Sequence, residues 1–186
     1  MGVFSSVFDF YSDFNGEKGV IGNSFFGVPI LYMSVEKSTY PKVIFQYAIH
    51  GREYLTSYLA LEQIKEFIKT GTIGTAYFIP LVNPDGVDIA LKSQPLYKAN
   101  GRGVDLNVNF DARWSEGKFN QREKGDENFI GDNPFSEPES RALRDFTQKI
   151  MPNATVSYHL KGEEIYWDFH QKGKLKRDGY SLAKAL

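Results

Sequence analysis

Three short apolar runs, rich in β-branched and aromatic residues, constrain the fold of this chain more than any other feature. They are KVIFQYAI at 42–49, TAYFIPLV at 75–82 and ATVSYH at 154–159. Runs of this kind are typical of strands buried on both faces of a sheet. Between the first two, apolar residues recur at helical spacing from 54 to 70, and Gly71 is placed to end that helix. Alternating strands and helices predict an α/β fold with helices on both faces of the sheet.

The rest of the chain adds further elements to this plan. Residues 19–35 read as two strands that meet at a turn. Residues 83–134 are glycine-rich and irregular, and loops of such length in compact domains are usually functional. Ser136, with Glu139 three residues later, predicts a capping box that opens a helix running to about Ile150.

Composition limits the classes of protein to which the chain can belong. Its 186 residues, 41% of them hydrophobic, predict a single domain over 1–186. A net charge of -1 predicts no nucleic-acid partner, and the absence of cysteine excludes disulfides and thiolate metal sites. No apolar run approaches the roughly 20 residues of a membrane span, and the N-terminus does not resemble a signal peptide. A cytoplasmic location is the default expectation.

Two histidines and a glutamate stand where strands end. His50 follows the first apolar run, Glu53 comes three residues later at the start of a helical pattern, and His159 ends the third run. Catalytic zinc commonly takes two histidines and one carboxylate, with water in the fourth position. Taken singly, His50 is more often an ordinary turn histidine, and Glu53 a carboxylate favoured by the helix dipole.

These three residues belong to a series of five motifs in a fixed order. They are HGRE (50–53), NPDG (83–86), GVDLNVNFDARW (103–114), SEPESRAL (136–143) and SYHLKGEEIYW (157–167). Together they resemble the zinc metallocarboxypeptidase family of carboxypeptidase A and T. The likeness is closer to the bacterial branch of γ-D-glutamyl-(L)-meso-diaminopimelate peptidases. It begins near Ile21 and implies an α/β fold with a mixed, mostly parallel sheet flanked by helices.

The resemblance implies a zinc metallopeptidase that hydrolyses a peptide bond, or a γ-D-glutamyl-diamino acid amide bond in a cell-wall muropeptide. His50, Glu53 and His159 match the three ligands of one Zn²⁺. Lys98 stands where the family usually has an arginine that polarises the scissile carbonyl and stabilises the oxyanion. Asn107 matches an asparagine that helps to hold the terminal carboxylate of the substrate.

One departure from the family concerns the substrate. The arginine that follows this asparagine in the family is Val108 here, which cannot bind a carboxylate. Arg102 and Arg113 lie nearby in the sequence and are candidates for binding an anionic group, the alternative being solvated loop charges.

We expect Asp105 to accept the free ring N–H of a zinc-binding histidine.

A second departure concerns catalysis. The family's general base is a glutamate on a late strand, well beyond the second zinc histidine. This chain ends at Leu186, soon after His159, so the expectation is an incomplete catalytic domain without the final strands and without that base. The alternative is a truncated, non-catalytic zinc-binding or peptide-binding protein. A further possibility is a fragment that self-associates through an exposed sheet edge.

Overall fold

A computed structural model describes residues 2–124 and 127–185 of the chain. Its elements alternate between strands and helices, as the apolar pattern predicts. The strands are β1 (Lys18–Asn23), β2 (Pro29–Glu36), β3 (Lys42–Gln46), β4 (Thr75–Ile79) and β5 (Ala154–Ser157). The helices are α1 (Val3–Asp13), α2 (Leu55–Thr70), α3 (Pro84–Lys92), α4 (Pro138–Ile150) and α5 (Gly173–Ala185).

The strands form one mixed sheet in the order β1-β2-β4-β3-β5. The pairs β1/β2 and β2/β4 are antiparallel, whereas β3/β4 and β3/β5 are parallel. The prediction of an α/β fold with a mixed sheet flanked by helices is therefore confirmed, whereas the sheet was expected to be mostly parallel and half of its described strand pairs are parallel. The parallel half contains the two strands whose ends carry the candidate histidines.

Side chains of β4 alternate between two hydrophobic cores, one on each face of the sheet. Ala76 and Phe78 contribute to a core shared with α1 and α2. Tyr77 and Ile79 point to the opposite face and pack in a core with α4. All five residues of β4 are buried, which agrees with a continuous apolar run.

The strands before the candidate histidines are shorter than the apolar runs predict. β3 ends at Gln46 rather than at 49, and β5 ends at Ser157 rather than at 159. After β3 the backbone enters the left-handed region at Ala48, with φ of 50°. The Ala48 N–H donates to Thr56 Oγ1 over 2.8 Å, so a side chain of α2 replaces the sheet partner.

Two helices lie outside the sequence-based predictions. The sequence predicts no helix where α1 lies, and α3 begins inside the segment that is predicted to be irregular. The signal for α3 was present, because Asn83 is an N-cap that accepts from the Gly86 N–H, and Pro84 occupies the first turn.

The predicted capping box is wrong, although the helix it was meant to open is present. The side chain of Ser136 donates to Glu137 Oε1, and that of Glu139 accepts from the Phe25 N–H. Neither closes the first turn of α4, whose N-cap residue Glu137 makes no side-chain cap bond. The carboxylates of Glu137 and Glu139 instead accept hydrogen bonds from the side chain of Asn100.

The interpretation of β5 as a core strand is also wrong. It pairs with β3 alone in the described sheet, and its side chains alternate between half-buried and exposed. The following helix α5 has no buried residue. Among the described helices, none combines the length and the apolar character required to cross a membrane.

Phe78 offers a direct test of this core. It is fully buried between Phe45 and Phe67, at ring-centroid distances of 5.2 and 5.3 Å. We expect Phe78→Ala to lower the free energy of unfolding by about 3–5 kcal/mol, because the cavity cannot collapse fully. Urea unfolding measures this, with the exposed Phe119→Ala as control. Equal effects of the two substitutions would contradict the described core.

Candidate metal centre

The parallel pairing of β3 with β5 brings the two histidines to the same edge of the sheet. Gln46 at the end of β3 lies opposite Ser157 at the end of β5. His50 and His159 follow these positions, so both leave the sheet at its carboxyl edge, where ligands collect in open α/β sheets. After His50, a 3-10 turn at Gly51–Glu53 brings the glutamate back towards the histidines.

The turn that carries His50 and Glu53 is fixed by close backbone packing. A Cβ atom on Gly51 would lie 2.3 Å from the carbonyl oxygen of Gly86, so glycine is required there. The buried side-chain amide of Asn83 donates to the carbonyl oxygens of Ile49 and Ala99, each over 3.0 Å. This amide therefore links the chain before His50 to the segment that carries Lys98.

Glu53 lies between the two histidines. Its Oε1 is 3.1 Å from His50 Nδ1, and its Oε2 is 2.8 Å from His159 Nδ1. The two imidazole rings are 4.8 Å apart between centroids. One ligand atom from each of the three residues lies within 4.8 Å of the others. The structure thus brings together all three predicted metal ligands.

The chemistry of this group fits a zinc ion. His50 is buried, yet neither of its ring nitrogens makes a well-formed hydrogen bond within residues 2–124 and 127–185. An unsatisfied buried imidazole costs free energy, which a metal bond would offset. Two imidazole nitrogens and one carboxylate are a donor set of catalytic zinc. His159, whose side chain is 30% exposed, leaves the group accessible from one side.

Asp105 connects this group to Lys98. Its Oδ1 lies 3.3 Å from His50 Nε2, and its Oδ2 lies 2.7 Å from Lys98 Nζ. Lys98 also donates to Asn128 Oδ1 over 2.7 Å. The structure therefore places Asp105 beside the ring nitrogen that faces away from Glu53, where an orienting carboxylate is expected.

These contacts shift the protonation equilibria of the three buried groups. Burial alone would lower the pKa of His50, but the carboxylates of Asp105 and Glu53 outweigh it and raise that pKa. Burial would raise the pKa of Glu53, but His159 and His50 lower it well below its usual range. Burial likewise opposes ionisation of Asp105, and His50 and Lys98 lower its pKa. The site therefore favours ionised carboxylates.

The three residues predicted to bind the substrate do not share one environment. Asn107 is exposed on a short 3-10 turn, and its backbone N–H donates to Asp105 Oδ1 over 3.0 Å. Arg102 lies over the ring of Phe25, at 5.5 Å from its centroid, and Arg113 pairs with Glu116. Across the part of the chain that the structure describes, neither arginine forms an ion pair with a member of the metal site.

A cavity of about 390 Å³ opens beside Lys98 and Asp105. Its wall is formed by the segment Gln94–Ala99 together with Glu127 and Asn128. Arg52, within the first motif, pairs with Glu127 and donates to the Leu96 carbonyl over 3.2 Å. The residues predicted from the sequence include neither Arg52 nor Asn128. The motif around His50 could have indicated Arg52, whereas no sequence signal marks Asn128.

Comparison with known proteins identifies the family that the chain resembles. A family model described as zinc carboxypeptidase matches residues 15–184. Gamma-D-glutamyl-L-diamino acid endopeptidase 1 of Lysinibacillus sphaericus is 25% identical, over 80% of this chain and 46% of its own length. Murein peptide amidase A of Escherichia coli (strain K12) is 30% identical, over 74% of this chain and 57% of its own length. The chain thus spans about half the length of these relatives.

A solved structure has the same fold. Bovine thrombin-activatable fibrinolysis inhibitor, in complex with tick carboxypeptidase inhibitor, superposes with a TM-score of 0.79 at 22% identity. The match covers 98% of this chain and 68% of the bovine chain. It places the mixed sheet and its flanking helices in a known architecture. With the family model matching nearly the whole sequence, the chain belongs to the zinc carboxypeptidase family.

Proposed function

We propose that this protein is a zinc-dependent peptidase that hydrolyses an amide bond of a γ-D-glutamyl-diamino acid in a cell-wall peptide. The observation that carries the proposal is Glu53 held between His50 and His159, where the buried His50 imidazole has no hydrogen-bond partner among the described residues. The relatives named for γ-D-glutamyl-diamino acid and murein peptide substrates support the choice of substrate.

The metal would be held by His50, Glu53 and His159. When bound, zinc supplies a Lewis acid for the scissile carbonyl and lowers the pKa of its bound water towards ~7. Asp105 orients the His50 ring through its Nε2. Lys98 forms an ion pair with Asp105 and donates to Asn128 Oδ1. Its ammonium group is the proposed stabiliser of the developing oxyanion, as a point charge without the fork of an arginine.

Val108 bears on the kind of substrate. An arginine at this position would pair with the terminal carboxylate of an ordinary peptide. The aliphatic side chain of valine removes that interaction while Asn107 remains exposed beside it. A substrate with its charged groups placed elsewhere, such as a γ-linked D-glutamyl peptide, is compatible with this change. Arg102 and Arg113 remain proposed binding residues for such groups.

The carboxylates at the site do not supply a general base. Glu53 contacts both histidines, and Asp105 contacts His50 and Lys98. A carboxylate so engaged, with its pKa lowered, is a poor proton acceptor. This observation favours a second candidate function, zinc-dependent peptide binding without hydrolysis.

We also propose that the chain self-associates through β5. This strand lies at one edge of the described sheet, with β3 as its partner there. Exposed apolar side chains follow it at Leu160, Ile165 and Tyr166. An unpaired edge beside apolar surface is a template for a second strand. Sedimentation that does not change with concentration would contradict this proposal.

Hydrolysis of a defined peptide tests the proposed function. We would incubate the zinc-loaded protein with a peptide containing L-alanyl-γ-D-glutamyl-meso-diaminopimelate, and with an α-linked L-glutamyl peptide as control. The expected result, by mass spectrometry, is cleavage of the γ-linked peptide that is lost with a chelator. Binding without cleavage would favour the second candidate, and cleavage of the α-linked peptide alone would contradict the substrate assignment.

Zinc content tests the metal site independently of activity. We expect about one zinc per chain by elemental analysis, because three ligands converge on one point. His159→Ala should lose most of this zinc, since two ligands remain. His170→Ala is a matched control, because His170 is an exposed histidine away from the three ligands. Equal zinc contents in the two variants would contradict the assigned ligands.

The stability of the zinc-free protein should depend on pH in a defined way. The raised pKa of His50 gives a contribution that is complete below the ordinary value of 6.5 and is lost as pH rises through the raised pKa. The lowered pKa of Glu53 gives a contribution present above 4.5 and lost as pH falls. Both are present between these values, so this site stabilises the zinc-free fold most there.

Thermal unfolding in chelator, repeated across pH, measures this dependence. His50→Gln should remove the loss of stability on the alkaline side, because glutamine does not titrate. Superimposable pH profiles of the wild type and His50→Gln would refute the assignment. Zinc affinity should also fall as pH decreases, since protons compete for the imidazole ligands.

A further inference from the structure

His159 is the least protected of the three candidate ligands. Its side chain is 30% exposed, whereas those of His50 and Glu53 are each 7% exposed. It follows an edge strand that has one described neighbour. The Ser157 hydroxyl, 3.3 Å from His159 Nε2, is itself on the exposed side of β5. Apart from the 2.8 Å contact between His159 Nδ1 and Glu53 Oε2, the position of His159 therefore depends on the contacts of the neighbouring residues.

The residue before His159 makes that contact. The ring of Tyr158 stacks on the ring of Tyr47, with centroids 4.9 Å apart and planes within 2° of parallel. Tyr47 is fully buried in the core shared by α1 and α2. The Tyr158 N–H also donates to the Gln46 carbonyl over 2.9 Å, which extends the β3/β5 ladder by one bond.

Gln63 of α2 joins the two hydroxyl groups. Its Oε1 accepts from the Tyr47 hydroxyl, and its Nε2 donates to the Tyr158 hydroxyl over 3.0 Å. Burial raises the pKa of Tyr47, so its hydroxyl remains a donor. Two stacked rings and one amide thus tie the end of β5 to β3 and to α2. We call Tyr47, Gln63 and Tyr158 the tyrosine clasp.

We propose that the tyrosine clasp is a positioning device for the third zinc ligand, holding His159 at the distance from Glu53 that the metal requires. The inference rests on the proposed zinc site. Tyr158 and His159 are adjacent, so a displacement of the Tyr158 ring moves the backbone that carries the imidazole. Groups that orient a ligand typically change metal affinity by about 10- to 100-fold when removed.

Zinc affinity, measured by competition with a chromophoric chelator, tests the clasp. Tyr158→Ala removes the stack and the hydrogen bond, and we expect zinc to bind about 10- to 100-fold more weakly. Tyr158→Phe keeps the stack, so its loss should be smaller than that of Tyr158→Ala. Gln63→Met removes both hydrogen bonds but neither ring. This variant tests the clasp if Tyr158→Ala does not fold. Wild-type affinity in all folded clasp variants would overturn the inference.

Tyr32→Ala is the matched control for a general loss of stability. Tyr32 packs on Phe146 at 4.8 Å between centroids and donates to Glu17 over 3.1 Å, so its removal deletes a ring contact and a hydrogen bond on the other face of the sheet. It should weaken folding without weakening zinc binding. An equal loss of zinc affinity in Tyr32→Ala and Tyr158→Ala would show a merely structural role and overturn the clasp.

A double-mutant cycle identifies the ligand through which the clasp acts. In a His159→Ala background, Tyr158→Ala should cause no further loss of affinity, because its effect passes through the missing imidazole. Additive losses would overturn the inference. Failure of the wild type to bind zinc would contradict the proposed function and the clasp together, whereas tight wild-type binding with unaffected clasp variants would contradict the clasp alone.

Discussion

The parallel register between β3 and β5 is the constraint on which the rest of the site depends. It places Ser157 opposite Gln46, so two segments more than a hundred residues apart in sequence end at one edge of the sheet. A shift of one residue would reverse the faces of β5 and move His159 away from Glu53. Because β5 is an edge strand, the contacts of the residues just beyond it determine how firmly that register holds.

Buried polar side chains hold the loops around this edge in place. The side-chain amide of Asn100 donates through Nδ2 to Glu137 Oε2 and Glu139 Oε2 over 2.8 and 3.1 Å, and its Oδ1 accepts from the Arg102 and Val104 N–H groups. Glu139 also accepts from the Phe25 N–H. Burial raises the pKa of Glu139, so the network keeps a carboxyl group where ionisation is disfavoured. Such a network specifies one arrangement of the loops.

The candidate site therefore combines residues that would bind the metal with residues that hold those ligands in place. Glu53 and the two histidines are the proposed metal ligands, and Asp105 and Lys98 lie beside His50 on its buried side. For His159, the stacked ring of the preceding Tyr158 is the proposed support in addition to the contact with Glu53. His50 lies beside two carboxylates, whereas His159 lies beside one and directly follows the stacked Tyr158 ring.

Local patterns in the sequence predicted much of the fold. Continuous apolar runs located β3, β4 and β5, and the helical spacing that ends at Gly71 located α2. Helices α1 and α3 were missed, because their signals are short and lie outside the long periodic segments. The exposure of β5 could not be predicted, since burial depends on how many neighbours a strand has and not on its own residues.

The sequence by itself predicted the three candidate ligands, because His50, Glu53 and His159 stand where strands end and the resemblance carried by the ordered motifs matches them to zinc ligands. It also determined the family, through five ordered motifs. Only the tertiary structure decided that Lys98 contacts Asp105, that Asn128 joins them, and that Tyr158 stacks on Tyr47. Lys98 and Asp105 are close in sequence and meet through the conformation of their loop, whereas the other two pairs are distant in the chain and meet through loop packing and strand register.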